Sequence, residues 1–306
     1  MERVVHPSEK GMRLDRFLRI HAPGAPSAVA LLRLGRLTVD GRRARAADPL
    51  GAGQVVRIAD PAARASNEPA RGAGPDAAER DLLARITLFE DDELVVFDKP
   101  SGLAVHPGTR TTGDLDTILA KLVDAAGERP RLVHRLDKDT SGLLVAAKHE
   151  RLAERLGRAF ASRAVDKVYL AVVEGVPRPA SGRIATPLKK VATAKGGRMV
   201  AAGADDPDGL AAATGWAVVE AAADGERSLV ELRPESGRQH QLRVHCALLG
   251  HPILGDRLYG AAASAPRLML HAHRLVLPDG RGGTRTFVAP TPAGFTAIAE
   301  PDVASG

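Results

Sequence analysis

Apolar positions along this chain follow two periods, one helical and one alternating, with polar interruptions between them. Near the N-terminus Leu14, Phe17 and Leu18 recur at helical spacing. Ser27 is placed to cap a second helix running through Val29, Leu31 and Leu32 to a stop at Gly35. Leu37-Thr38-Val39, the turn Asp40-Gly41 and Val55-Val56-Arg57-Ile58 then read as short strands. Residues 11–60 are therefore predicted to form a small α/β unit. Periodicity disappears over residues 61–80, which are rich in Ala, Gly and Pro and read as a linker. A second domain is expected over 81–306. Its pattern predicts strands at 86–89, 94–97, 143–147, 168–173, 216–220 and 229–232, helices over about 149–160 and 239–249, and exposed loops at 201–213 and 261–266. Strands joined by hairpin-like turns outnumber helices, so the expected class is α+β: a mixed, mainly antiparallel sheet flanked by helices.

Three polar clusters interrupt this second pattern. The first is His134-Arg135-Leu136-Asp137-Lys138-Asp139-Thr140-Ser141-Gly142, set between the apolar pairs Leu132-Val133 and Leu143-Leu144. Chemistry explains such a knot in an otherwise buried run better than packing does. The second, Asp166-Lys167-Val168-Tyr169-Leu170, is a strand start whose alternation puts Lys167 and Tyr169 on one face. The third runs from Ser236-Gly237-Arg238-Gln239-His240-Gln241-Leu242-Arg243 to His245 and is followed by Gly250-His251-Pro252-Ile253-Leu254-Gly255-Asp256.

Composition narrows the setting. Hydrophobic residues make up 44% of 306, without an apolar run long enough to span a bilayer. The N-terminal residues lack the apolar region of a secretory signal, so none is expected. The single cysteine, Cys246, has no internal disulfide partner and reads as a buried thiol, in keeping with a reducing, cytoplasmic setting. The net charge of +6 is concentrated: residues 11–60 carry nine arginines against four aspartates. A basic lobe beside a nearly neutral body is the footprint of a polyanionic partner, and without an apolar anchor nucleic acid is favoured over a membrane. The plainer alternative is a solvated arginine face.

The segment "RLDRFL…LLRLGRLTVDGRRA…GQVVRI" resembles the S-four-type RNA-binding domain, which implies an RNA face carrying Arg33, Arg36, Arg42 and Arg43. Farther on, "VVFDKPSGLAVHPG", "HRLDKDTSGLLVAAK", "KVYLAVVEG" and "GRQHQLRVHCALLGHPILGDRLYG" resemble, in that order, the motifs of the Rlu (RluA-type) group of RNA pseudouridine synthases. That resemblance implies isomerisation of a uridine within RNA: the glycosidic bond to ring nitrogen breaks, the base turns, and a bond to ring carbon 5 replaces it. By motif position it implies Asp137 as catalytic carboxylate, Tyr169 as the ring against the base and Arg243 as the salt-bridge partner of Asp137. A carboxylate in apolar surroundings needs such a cation to remain ionised. Arg135 resembles the family arginine that enters the vacated base stack, since a paired base must be flipped out to turn. Lys167, Arg238 and His240 are expected RNA contacts. The role of Lys99 is left unassigned.

No cofactor and no metal are expected, and a monomer acting on structured RNA is. Large-subunit (23S) ribosomal RNA is preferred, because a basic module suits a large structured substrate; transfer RNA is the alternative. Whether Asp137 acts as nucleophile or as base stays open. Two other classes compete. A metal-dependent hydrolase would use His240, His245, His251, His271 and His273, but the five-residue spacing of the first pair does not match a helical ligand pair. A non-catalytic RNA-binding or ribosome-assembly protein of the same fold would not need Asp137, Tyr169 and Arg243 together.

Overall fold

The computed structural model describes residues 2–22, 28–33, 37–42, 44–58, 74–106, 113–124, 127–193, 196–261 and 264–295. The chain divides into two units, Met1–Gly72 and Ala73–Gly306. In the first, α1 (Leu14–His21) buries Leu14, Phe17 and Leu18, and α2 (Ala28–Arg33) adds Ala28 and Leu31 to the same core. An antiparallel sheet in the order β1-β3-β2 supplies Leu37, Val39, Val56 and Ile58; its strands are β1 (Glu2–Val4), β2 (Leu37–Val39) and β3 (Val55–Ile58). Strand β1 escaped the pattern because all three of its residues are exposed. The expected cap Ser27 and stop Gly35 lie outside the described residues.

The second unit begins inside the stretch read as linker. Asp76 caps α3 (Ala77–Ile86) by accepting from the Glu79 amide at 2.8 Å, while Glu79 accepts from the Asp76 amide at 2.9 Å. This reciprocal pair starts the helix despite its alanine-rich, weakly patterned sequence. Ile86, expected to open a strand, closes this helix, and β4 (Thr87–Glu90) follows.

The ten-stranded sheet runs β4-β5-β7-β14-β8-β13-β12-β9, with β15 added to β14 and β6 to β7. Its further strands are β5 (Leu94–Lys99), β6 (Arg131–Leu132), β7 (Ser141–Ala147), β8 (Asp166–Glu174), β9 (Ser181–Ile184), β12 (Thr214–Ala221), β13 (Arg227–Pro234), β14 (Leu270–Pro278) and β15 (Thr284–Val288). Every ladder but the parallel β7–β14 pairing is antiparallel, which bears out the mixed sheet and the α+β class. Between β9 and β12, β10 (Leu188–Thr193) and β11 (Gly196–Ala201) form a separate hairpin. The loop after it is tied back by paired backbone hydrogen bonds between Leu188 and Leu210 and buries Ala202 and Ala212, so it is not wholly exposed as expected.

Strand β7 is buried throughout, as its unbroken apolar run requires of a central strand. Helix α5 (Glu150–Ala161) covers one core with Leu152, Leu156 and Ala159, while Glu150, Arg151, Glu154 and Arg158 are exposed. Helix α6 (Gln241–Leu248) belongs to the other core, and besides Leu242, Val244 and Cys246 it buries Gln241, Arg243 and His245. The short α4 (Leu115–Leu119) completes the set. Tyr169 packs against both cores, at the seam between them. Among the described residues no helix is long and apolar enough to cross a membrane.

The parallel junction depends on one glycine. Gly142 has φ +105° and pairs with Ala272, so closely that a Cβ would lie 2.3 Å from the Ala272 carbonyl oxygen. Left-handed strain and overpacking against backbone act together in Gly142→Ala. The variant should lose about 3 kcal/mol or more in denaturant unfolding of the catalytic-size unit, and a loss under 1 kcal/mol would contradict the close approach.

Candidate active site

The polar knot of the sequence is a loop between β6 and β7, and its shape is imposed from outside. Lys99, the last residue of β5, has no solvent exposure, and its Nζ donates to the carbonyls of Pro100, Leu103 and Lys138, each at 2.9 Å. The Gly102 amide donates to the same Lys138 carbonyl at 2.9 Å, and Ser101 Oγ donates to the Asp139 carbonyl at 2.7 Å. The Thr140 amide closes the turn on the Asp137 carbonyl at 3.1 Å. The backbone just after Asp137 is thus held by a buried cation and two further donors. Burial drives the Lys99 pKa down to about 8, while the negative charges of Asp139, Asp137 and Asp98 work to keep it protonated.

Asp137 itself sits in a recess, its side chain 19% exposed. Tyr169 on β8 lines the recess; burial, and secondarily the charge of Asp137, push its pKa upward, so the phenol keeps its proton at neutral pH. His240 precedes α6 in the left-handed region (φ 53°, ψ 15°) and points Nε2 toward Asp137 Oδ2 at 3.9 Å. Among the described residues this is the one ion-pair contact of Asp137.

Arg243 departs from expectation. Its guanidinium is spent on Asp256, with Nε to Oδ2 at 2.7 Å and Nη2 to Oδ1 at 2.6 Å, and both side chains are almost fully buried. The salt bridge expected with Asp137 is therefore made with Asp256, and Arg243 acts on Asp137 as a nearby positive charge. The physical reason is geometric: the Asp256 carboxylate presents the parallel pair of acceptors that a fork of two N–H groups fits. Burial works against charge on both partners, yet the Asp256 carboxylate is held below its usual range by Arg243 and by the Leu258 and Tyr259 amides, and Arg243 is raised by Asp256.

The remaining expected residues are dispersed around this recess or lie apart from it. Arg135 is exposed, two positions before Asp137. Lys167 is partly buried, and that burial lowers its pKa. Arg238 is exposed, with Nε donating to the Ala211 carbonyl at 3.2 Å. His240, expected as a structural donor or an RNA contact, has a largely buried ring, 11% exposed, between Asp137 and Tyr259. In the N-terminal unit Arg33 ends α2 and Arg42 is exposed, whereas Arg36 and Arg43 lie outside the described residues. Three of the other histidines weighed as ligands are engaged in the scaffold: His245 with Thr214 Oγ1 and the Thr186 carbonyl, His251 with the Glu174 carbonyl, His271 with Ser141 Oγ. Among the described residues no three His, Cys, Asp or Glu side chains gather as metal ligands would.

Lys99 was left without a role, and Asp256 and Tyr259 were missed as members of the site. Their signal was present only as motif neighbours: Lys99-Pro100 lies within the first motif, and Asp256 and Tyr259 close the last. As assembled, the recess holds a carboxylate on a clamped loop, a protonated phenol beside it and a buried arginine supplying positive potential. Such a set suits attack or proton abstraction on a flat, neutral ring rather than hydrolysis through an activated hydroxyl.

A family model described as RNA pseudouridylate synthase matches residues 93–248. An uncharacterized RNA pseudouridine synthase of Zymomonas mobilis is 42% identical over 218 residues, covering 70% of this chain and 97% of that protein. The ribosomal large subunit pseudouridine synthase C of Escherichia coli is 34% identical over 306 residues, covering 95% of this chain and 93% of that protein. Among solved structures, human RNA Pseudouridylate Synthase Domain Containing 4 superposes with a TM-score of 0.58 at 31% identity, covering 70% of this chain and 92% of that one.

A pH dependence follows from the residue that opens the loop. His134 Nε2 accepts from the Val145 amide at 3.0 Å, and its ring stacks on Phe160 at 4.5 Å, so it must be neutral. Burial first, and Lys167 second, depress its pKa to about 3, although the residue as a whole keeps some solvent exposure. The unfolded chain takes up this proton near pH 6.5 and the native state does not, so stability is full above that pH and is lost as pH falls toward 3. Wild type should lose up to about 3 kcal/mol more than His134→Gln between pH 6.5 and 4 in denaturant titrations, the full linkage value being reduced by partial exposure. Parallel stability curves for the two proteins would refute this.

Proposed function

The chain belongs to the RNA pseudouridylate synthase family and is an RNA pseudouridine synthase; from that premise we propose that Asp137 is its catalytic carboxylate and that it modifies a uridine of large-subunit ribosomal RNA. The observation that carries the reading is the convergence on Asp137 of a clamped loop, the Tyr169 phenol and the positive charge of Arg243. The reaction conserves atoms. The bond from C1′ to N1 breaks, the uracil turns, C1′ joins C5, and the proton lost from C5 is balanced by one gained at N1. Nothing in this balance calls for an oxidant or a bound cofactor. Asp137 serves as nucleophile or as base, and in either role Arg243, anchored by Asp256, supplies positive charge near it.

Tyr169 offers a flat face for the extruded base and a phenolic proton to donate to it. Arg135, exposed beside the loop, is suited to fill the vacated stack while bonding phosphate. Lys167 and Arg238 are proposed phosphate contacts. The N-terminal unit is proposed as an S-four-type module presenting Arg33, Arg36, Arg42 and Arg43; its helix pair on a small sheet and its arginine excess support this. The ribosomal assignment is supported by full-length similarity to proteins named ribosomal large subunit pseudouridine synthase C; transfer RNA is the alternative substrate. The enzyme is expected to act as a monomer.

Asp137→Asn should abolish conversion of a large-subunit ribosomal RNA transcript while RNA affinity stays within about threefold, measured by tritium release and filter binding; turnover near wild type would sink the assignment. Pseudouridine mapping of cellular RNA with and without the gene identifies the uridine, and a lost site in transfer RNA alone would overturn the ribosomal reading. Removing residues 1–72 should weaken RNA binding and flatten its salt dependence, because each neutralised phosphate contributes nearly one unit to the slope of log affinity against log salt. An unchanged slope would show that the arginine-rich unit is not the anchor.

A further inference from the structure

His240 lies between the proposed catalytic carboxylate and a second tyrosine, and the hydrogen bonds around it determine which nitrogen carries its proton. Tyr259 Oη accepts from the Met199 amide at 3.0 Å and lies 2.9 Å from His240 Nδ1. Two guanidinium groups, of Arg243 at 5.3 Å and Arg198 at 5.5 Å, lie over the Tyr259 ring, and neither can accept a hydrogen bond. With the Met199 amide already donating to Oη, the 2.9 Å contact is satisfied when the phenolic O–H donates to His240 Nδ1. A neutral imidazole that accepts at Nδ1 must carry its own proton on Nε2, the nitrogen 3.9 Å from Asp137 Oδ2.

We propose that His240 is a positioning residue for Asp137: a neutral imidazole, fixed by Tyr259 in the tautomer with hydrogen on Nε2, that directs this donor at the carboxylate. The inference rests on Asp137 being the reacting group, as proposed above. Three observations support it. The backbone of His240 occupies the left-handed region, which is unfavourable for a non-glycine residue and marks a conformation imposed by its surroundings. Its ring is largely buried, so the ring is not free to serve as a surface contact to phosphate. The groups facing it are Asp137 and Asp256, which favour protonation, and Arg243 and Arg135, which oppose it; burial is the largest influence, and the net effect lowers the pKa and keeps the ring neutral. At 3.9 Å the donor stands just outside hydrogen-bond range, close enough to engage directly or through one water when the base displaces solvent. The arrangement resembles the logic of a triad, in which a third group fixes the tautomer of a histidine, but with the histidine serving the carboxylate.

The test has two arms on the full-length enzyme. Nitrogen-15 correlation spectra of histidine-labelled protein at pH 7.5, with the His240 signals assigned by their absence in His240→Gln, should show a neutral ring protonated at Nε2. A ring protonated at Nδ1 or doubly protonated overturns the proposal without reference to activity, and it does so whether or not the substrate is correctly identified. In single-turnover assays on a large-subunit ribosomal RNA transcript, His240→Ala should lower the rate constant 10- to 100-fold with the RNA dissociation constant within threefold. His240→Gln, which keeps a donor near the Nε2 position, should recover much of that loss, and Tyr259→Phe should lose 3- to 10-fold. A His240→Ala rate within twofold of wild type, or a loss expressed wholly in RNA affinity, overturns the positioning role and makes His240 an RNA contact. If wild type does not convert this transcript while Asp137→Asn is equally inert, the ribosomal reading fails and the spectroscopic arm decides the tautomer independently.

Discussion

The catalytic unit is organised around the close approach of Gly142 to Ala272. This is the one place in its ten-stranded sheet where neighbouring strands run parallel, and only a residue without Cβ permits it. The junction joins β5 and β7, which carry one core with α5, to β14, which adds Ala272, Leu275 and Leu277 to that core and Leu270 to the other, and through β14 to β8 and β13, which carry the second core with α6. Tyr169 stands on the seam, and the Asp137 loop, which leaves the sheet after Leu132, re-enters it at Ser141, where the junction begins. Buried side chains lock the same point: Ser141 Oγ meets His271 Nδ1 at 3.0 Å and accepts from Arg267 Nη1 at 3.0 Å. The loop that carries Asp137 is therefore attached where side-chain hydrogen bonds and a close backbone approach fix the sheet.

Around this junction the protein buries charge at a cost in stability and gains geometry. Lys99 is desolvated for the sake of three carbonyls, one of them adjacent to Asp137. Replacing a buried ion pair such as Arg243–Asp256 by apolar residues is often neutral or stabilising in proteins, whereas removing one partner is strongly unfavourable. The pair is better understood as a fixed source of positive potential at the recess than as a contribution to folding. Asp256 takes both N–H groups of the Arg243 fork, so Arg243 acts on Asp137 through its charge and not through a direct salt bridge.

Much of this was legible in the residues. The helical spacing of Leu14, Phe17 and Leu18, the unbroken apolar run of β7 and the alternation of β8 each predicted the element that forms. The three polar clusters marked where chemistry would lie, because polar residues in positions that should be apolar mark either strain or chemistry, and the family resemblance singled out Asp137, Tyr169 and Arg243 within them. Less was legible where local pattern is weak. Helix α3 hides in an alanine-rich stretch and is set by the Asp76–Glu79 capping pair, and β1 and β9 are largely exposed, with no apolar face to announce them.

The sequence by itself determined the class of fold, the two-part organisation and the motif order that identifies the reaction, since periodicity and local chemistry are short-range properties of the chain. Tertiary structure alone decided who partners whom within the site. Nothing in the spacing of Arg243 distinguishes Asp256 from Asp137 as its acceptor, and nothing local indicates that Lys99 reaches Lys138 or that Tyr259 reaches His240. Those choices depend on which surfaces the sheet brings within 3 Å across dozens of residues, and on which acceptor geometry best fits a given donor once water is excluded.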